Sequence, residues 1–169
     1  MAETKIYIPN GLDAQLRAAA MKRFGYGRGS ISRAAEEAVT QWLAREDEIK
    51  GAVEALSEKA KGDSDVVALL VFGSYARREA GYGDLDVAVV ATGHVDLPAY
   101  EGAVEARGGL HGVRLDLLEF SSLSLDLQRR VLNEGEVVYV RDERELRARA
   151  AEVAAKWNDF EPTYRYLVS

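Results

Sequence analysis

The chain has 169 residues, 47% hydrophobic and 30% charged, with a net charge of −6 and no cysteine. That length suits one domain, or a domain with a small appendage, and the apolar content is enough for a core. Lack of cysteine excludes disulfides, thiolate metal sites and cysteine nucleophiles, and the histidines His94 and His111 are too few for a His-based zinc centre unless carboxylates complete it. No apolar run reaches the roughly 18 residues of a membrane span, and the N-terminus lacks a signal-peptide layout, so a cytoplasmic protein with no membrane association is expected.

Thr4-Lys5-Ile6-Tyr7-Ile8 alternates polar and apolar before Pro9-Asn10-Gly11 breaks it, which predicts a short strand. Apolar residues at helical spacing follow from Leu12 to Phe24, and Gly25, Gly27 and Gly29 then make a loop. Ser30 is a good N-cap, and Ile31, Ala34, Ala35, Ala38 and Trp42 line one face of a second helix that continues to about Lys61. Gly51 and the acidic run Glu46-Asp47-Glu48 allow a bend there. Residues 1–45 carry seven Lys and Arg against four Asp and Glu, net +3, leaving −9 for the rest. This asymmetry divides the chain into residues 1–45 and 46–169, the first with a polyanion as a conceivable partner.

The second unit alternates strand and helix. Strands are predicted at Val66–Phe72, Asp84–Ala91, Val113–Phe120 and Val137–Val140. Helices are predicted at Ser74–Ala80, about 96–107, Asp126–Asn133 and Asp142–Trp157. The alternation implies an α/β fold, and the short link between the first two strands implies a mixed sheet with flanking helices. Trp42 and Trp157 are expected in the core, His94 and His111 in solvent, and Tyr164-Arg165-Tyr166 in a C-terminal tail.

The chemistry concentrates in Val71-Phe72-Gly73-Ser74-Tyr75-Ala76-Arg77-Arg78 and Gly83-Asp84-Leu85-Asp86-Val87. Side chains alternate along a strand, so Asp84 and Asp86 share one face while Leu85 and Val87 enter the core. Two carboxylates so placed repel each other and are costly to desolvate unless a cation lies between them, and Mg²⁺ suits such oxygen donors. Asp116, within Arg114-Leu115-Asp116-Leu117-Leu118, is a third strand carboxylate flanked by leucines. Three such groups can hold two metal ions and activate a hydroxyl for in-line attack on phosphorus. Gly73 permits a tight turn. Ser74 and the amides after it would hold phosphates, and Arg77 or Arg78 would neutralise their charge. Tyr75 and Tyr82 flank the loop and could stack on a nucleobase.

These motifs resemble the minimal nucleotidyltransferases of the DNA polymerase beta superfamily, over about residues 50–169. Asp116 matches the third strand carboxylate of that family, and Val131-Leu132-Asn133-Glu134-Gly135-Glu136-Val137-Val138-Tyr139 is similar to its closing helix-to-strand element. Gly83 stands where the usual form has Ser, and Arg78 where Gly is common, in a run one residue shorter than usual. The resemblance implies a nucleotidyltransferase fold and Mg²⁺-dependent transfer of a nucleoside monophosphate from an NTP, most often ATP, to a hydroxyl. It also implies a HEPN-type protein partner, since many stand-alone members are antitoxins that adenylylate a tyrosine on such a toxin.

The strand, helix, turn and helix of residues 1–45 resemble a ribbon–helix–helix module. That resemblance implies a homodimer paired through its strands, with Ile6 and Ile8 facing the core and Lys5 and Tyr7 facing the major groove of DNA. Ser30, helped by Arg28, would anchor a phosphate. The competing reading is a DNA-binding regulator or a binding-only antitoxin on a non-catalytic nucleotidyltransferase scaffold.

Overall fold

The computed structural model describes residues 5–168, with side-chain surroundings through Glu161. The chain divides into two compact units, Met1–Glu46 and Asp47–Ser169.

In the first unit, α1 (Asn10–Phe24) leads through a glycine turn into α2 (Ser30–Lys61). Gly25 and Gly29 have φ of 81° and 88°, a backbone region that side chains other than hydrogen rarely enter, and this sets the turn between the helices. Arg23 pairs with Glu37, and the Arg33 guanidinium lies 5.2 Å from the Phe24 ring centroid, so charged stems and one aromatic tie the two helices together. Residues 5–9 form no strand. The expected strand also includes Thr4, which lies outside the described residues. A strand requires a partner backbone, and among the described residues no segment pairs with Lys5–Ile8. Ile6 is accordingly 67% exposed and Tyr7 83%.

Ser30 is the first residue of α2 and not its cap, because the Gly29 carbonyl already accepts the Arg33 N–H. It is also buried, so the hydroxyl is poorly placed as an open phosphate anchor. Trp42, expected in the core, is 57% exposed. Gly51 does not break α2, whose helical hydrogen bonding runs on to Lys61.

The second unit is a four-stranded sheet in the order β3-β2-β1-β4. Its strands are β1 (Val66–Phe72), β2 (Asp84–Ala91), β3 (Arg114–Glu119) and β4 (Glu136–Val140). The short α3 (Gly73–Ala76) links β1 to β2, α4 (Leu97–Ala106) crosses from β2 to β3, α5 (Leu125–Glu134) precedes β4, and α6 (Glu143–Val168) closes the chain. The β1–β2 and β1–β4 pairs are antiparallel and the β2–β3 pair is parallel, so the sheet is mixed.

Every residue of β1, Val-Val-Ala-Leu-Leu-Val-Phe, is buried, as a central strand covered on both faces must be. On one face Val66, Leu69, Val71, Leu85, Val87 and Val89 pack with Ile49, Leu56 and Tyr100 of α2 and α4. On the other, Val67, Leu70, Phe72, Ala88 and Val90 pack with Val131 of α5 and Val153 of α6. Two helical layers thus enclose the sheet.

Predicted bounds hold closely for β1 and β2. The helix expected at Ser74–Ala80 ends at Ala76, because Arg77 caps it onto the Gly73 and Tyr75 carbonyls and Arg78 turns to φ 56°. Trp157 is buried as expected, but α6 continues past it to Val168, so Tyr164, Arg165 and Tyr166 lie within a helix. His94 and His111 are exposed. Among the described residues no helix is long and apolar enough to cross a membrane.

Candidate active site

The candidate site lies where β2 and β3 begin, on the sheet face that α5 and α6 cover farther along. In β2 the alternation makes Leu85 and Val87 buried while Asp84 and Asp86 stay half-buried on the opposite face. Parallel pairing sets Asp84 opposite Arg114 and Asp86 opposite Asp116. Residues directly opposite share a face, so three carboxylates and one guanidinium form a two-by-two block. The sequence reading did not single out Arg114, although alternation within β3 puts it beside Asp116.

Gly73 fits over this block. Its φ is +75°, and a Cβ there would come within 2.0 Å of Asp86 Oδ2 and 3.0 Å of Asp86 Cγ. The end of β1 therefore approaches Asp86 so closely that only glycine leaves the carboxylate in place.

The electrostatics follow from this crowding. Burial first, and then the Asp84 and Asp116 charges, hold the Asp86 carboxyl above the usual carboxylate range, with Arg114 and Arg77 pulling the other way. Arg114 Nη2 donates to Asp116 Oδ2 at 3.1 Å and reaches Asp84 Oδ2 at 3.5 Å. Among the described residues no three His, Asp or Glu side chains converge closely enough to hold an ion. Like charges separate from one another, and the Arg114 guanidinium draws Asp84 and Asp116 toward itself. The donor set nevertheless suits a hard divalent cation, which prefers carboxylate oxygens and would relieve the repulsion felt by Asp86.

Around the block, Arg77 is engaged by two carboxylates, with Nε 2.6 Å from Glu79 Oε1 and Nη1 3.4 Å from Glu134 Oε2. The Arg77–Glu134 contact links the end of α5 to the segment after β1, and Arg130 meets the same Glu134 one turn back along α5, at 3.9 Å. Glu134 was not expected near the site, since its approach depends on how α5 packs. Arg78 is exposed beside Arg77, and Ser74 is half-buried in α3. Tyr75 and Tyr82 stack edge-on against each other, centroids 5.0 Å apart, and pack against the apolar cluster under α2 and α4. Lys5, Tyr7, Arg28 and Ser30 belong to the first unit, and the block is built within the second.

Several solved structures share the fold. A mutant form of the toxin–antitoxin MntA–HpeT has a chain 17% identical with a TM-score of 0.53, the match covering 73% of this chain and 94% of that one. A toxin–antitoxin structure with AMP-PNP is 16% identical with a TM-score of 0.51, again over 73% and 94%. A tri-AMPylated Shewanella oneidensis HEPN toxin in complex with MNT antitoxin is 19% identical with a TM-score of 0.50, over 76% and 95%. No curated protein matches the chain. The model of the family described as polymerase beta, nucleotidyltransferase matches residues 54–144, which is more than half of the chain and contains the whole carboxylate block. With that match and this fold, the chain belongs to the polymerase beta nucleotidyltransferase family.

Proposed function

We propose that this nucleotidyltransferase moves AMP from ATP to a hydroxyl on a partner protein, a HEPN-type toxin, and so acts as an antitoxin. The observation that carries the reading is the pairing of Asp86 with Asp116, flanked by Asp84 and roofed by a glycine that only a fixed Asp86 position would demand. The similar solved structures named above support the choice of nucleotide and of partner. One is described as an AMPylated HEPN toxin with its MNT antitoxin, another as a toxin–antitoxin with AMP-PNP.

Asp84, Asp86 and Asp116 would hold Mg²⁺, two ions in the fullest arrangement. When bound, the metal would polarise the α-phosphate and make the acceptor hydroxyl easier to deprotonate. Asp116, at the open edge of the block, accepts the acceptor's proton. Gly73 and Ser74 leave backbone amides for the β- and γ-phosphates, and Arg77 and Arg78 offset their charge. The acceptor oxygen forms a bond to the α-phosphorus as the bond to the β-phosphate oxygen breaks, and pyrophosphate leaves.

For residues 1–45 the reading is a homodimer, with DNA contact through Lys5, Tyr7 and Arg28 as its extension. Ile6, Tyr7, Leu12, Val39, Trp42 and Leu43 are all large, apolar and exposed, more than a small unit leaves uncovered without a partner. Val39, Trp42 and Leu43 follow helical spacing and so share one face of α2. Light scattering of the wild type and of Trp42→Asp tests the dimer, and operator retention by Lys5→Ala and Tyr7→Ala tests the DNA contact.

The deciding experiment for the second unit is incubation with Mg²⁺, α-labelled ATP and extract containing the candidate acceptor. Label on a protein with the wild type, and none with Asp84→Asn/Asp86→Asn, supports transfer. No label from a folded wild-type sample under any metal or nucleotide condition moves the reading to binding alone.

A further inference from the structure

We propose that Arg114 is a built-in competitor for the divalent ion, a tethered cation that sets the metal concentration at which the carboxylate block loads. The inference rests on the metal-site reading given above.

The geometry is specific. Arg114 stands opposite Asp84 across the β2–β3 pair and two residues before Asp116 on the same face. A single nitrogen, Nη2, serves both carboxylates, at 3.1 Å from Asp116 Oδ2 and 3.5 Å from Asp84 Oδ2. These oxygens belong to two of the three groups that would ligate metal, so guanidinium and metal seek the same atoms. Both are cations, and they cannot sit together on one pair of carboxylates without strong repulsion. Loading therefore requires Arg114 to leave.

Among the described residues its side chain meets only these two carboxylates. It is 70% exposed, and β3 is an edge strand of the sheet. The exposure makes the contact weak enough to yield, because partly solvated ion pairs contribute little individually. Asp84 and Asp116 are 36% and 41% exposed, so the guanidinium is the most solvated member of the trio. A divalent ion, with twice the charge and direct bonds to oxygen, wins once it is abundant or arrives already bound to a triphosphate. Arg114 is thus a positioning residue, neutralising the block before metal arrives.

The test is a Mn²⁺ titration followed by electron paramagnetic resonance, without nucleotide and at fixed ionic strength. It uses the full chain as wild type, Arg114→Gln, Arg114→Lys and Asp86→Asn. Because Arg114 is exposed, its variants should fold, and circular dichroism checks this. Removing two weak charge contacts predicts binding about three- to tenfold tighter in Arg114→Gln. Arg114→Lys should fall between Gln and wild type, since it keeps the charge but not the fork. Asp86→Asn should lose the site. A second readout is thermal: Mn²⁺ should raise the melting temperature of Arg114→Gln at lower concentration than that of wild type. Equal or weaker Mn²⁺ binding by Arg114→Gln, with Asp86-dependent binding in wild type, overturns the competitor role alone. Absence of Asp86-dependent binding in both proteins overturns the metal site itself, and the inference with it.

Discussion

Replacing Gly73 by alanine is the sharpest test of how the fold builds the site. An alanine at φ +75° pays the usual strain of a positive φ, about 1 kcal/mol. Its Cβ would also lie 2.0 Å from Asp86 Oδ2, far inside any contact real side chains make. The obstacle is the end of a side chain, so relief comes from turning the Asp86 carboxylate off its rotamer, at roughly 0.5–1.5 kcal/mol. The sum predicts a loss of about 1.5–2.5 kcal/mol and, for a chain of this size, a melting temperature lower by roughly 3–10 °C. Turning the carboxylate displaces it by about 1 Å, which predicts a fall in transfer rate on the order of 100-fold. Denaturant melts and the rate of label transfer from α-labelled ATP measure the two effects. A double-mutant cycle isolates the clash, because Asp86→Ala removes the obstructing oxygens and leaves only the φ strain. The coupling should be about 0.5–1.5 kcal/mol, with Gly73→Ala milder in the Asp86→Ala background. Equal destabilisation in both backgrounds, or wild-type transfer by Gly73→Ala, would refute the reasoning.

Gly135→Ala should be worse for stability, because its Cβ would meet the Val131 carbonyl oxygen at 2.3 Å and the Val71 carbonyl oxygen at 3.3 Å, and backbone cannot rotate aside. A loss of about 4 kcal/mol or more, seen as poor soluble yield or a collapsed melting transition, is expected. Asp86→Asn should abolish transfer and yet stabilise the metal-free protein at neutral pH by about 1 kcal/mol. The sign follows from the raised carboxyl: its ionised form is penalised in the folded state above the unfolded pKa, and that penalty fades as pH falls through the folded value. Melting curves of both proteins against pH in chelator should therefore converge toward acid. Arg141→Ala should cost about 2–3 kcal/mol in denaturant melts. Its guanidinium donates to the carbonyls of Ala60, Lys61, Asp63 and Val66, caps the end of α2 and fixes the start of β1.

Much of the second unit was legible because its signals are local. A seven-residue apolar run between Asp65 and Gly73 can only be a buried strand, and Asp84 and Asp86 share a face by the two-residue period of any strand. Their expense on an apolar strand is likewise a property of the residues themselves. The sequence by itself therefore determined which elements form and which carboxylates are candidates. What it could not determine is register, since pairing between strands 30 residues apart depends on contacts that no local pattern encodes. The tertiary structure decided that Asp86 stands opposite Asp116, that Arg114 completes the block, and that Gly73 must lie bare above Asp86. It decided, too, that Glu134 reaches Arg77 from the end of α5, and that Trp42, apolar on a helix face, meets solvent. An apolar residue at the right spacing says that a face wants covering, and only the packed chain says whether anything covers it.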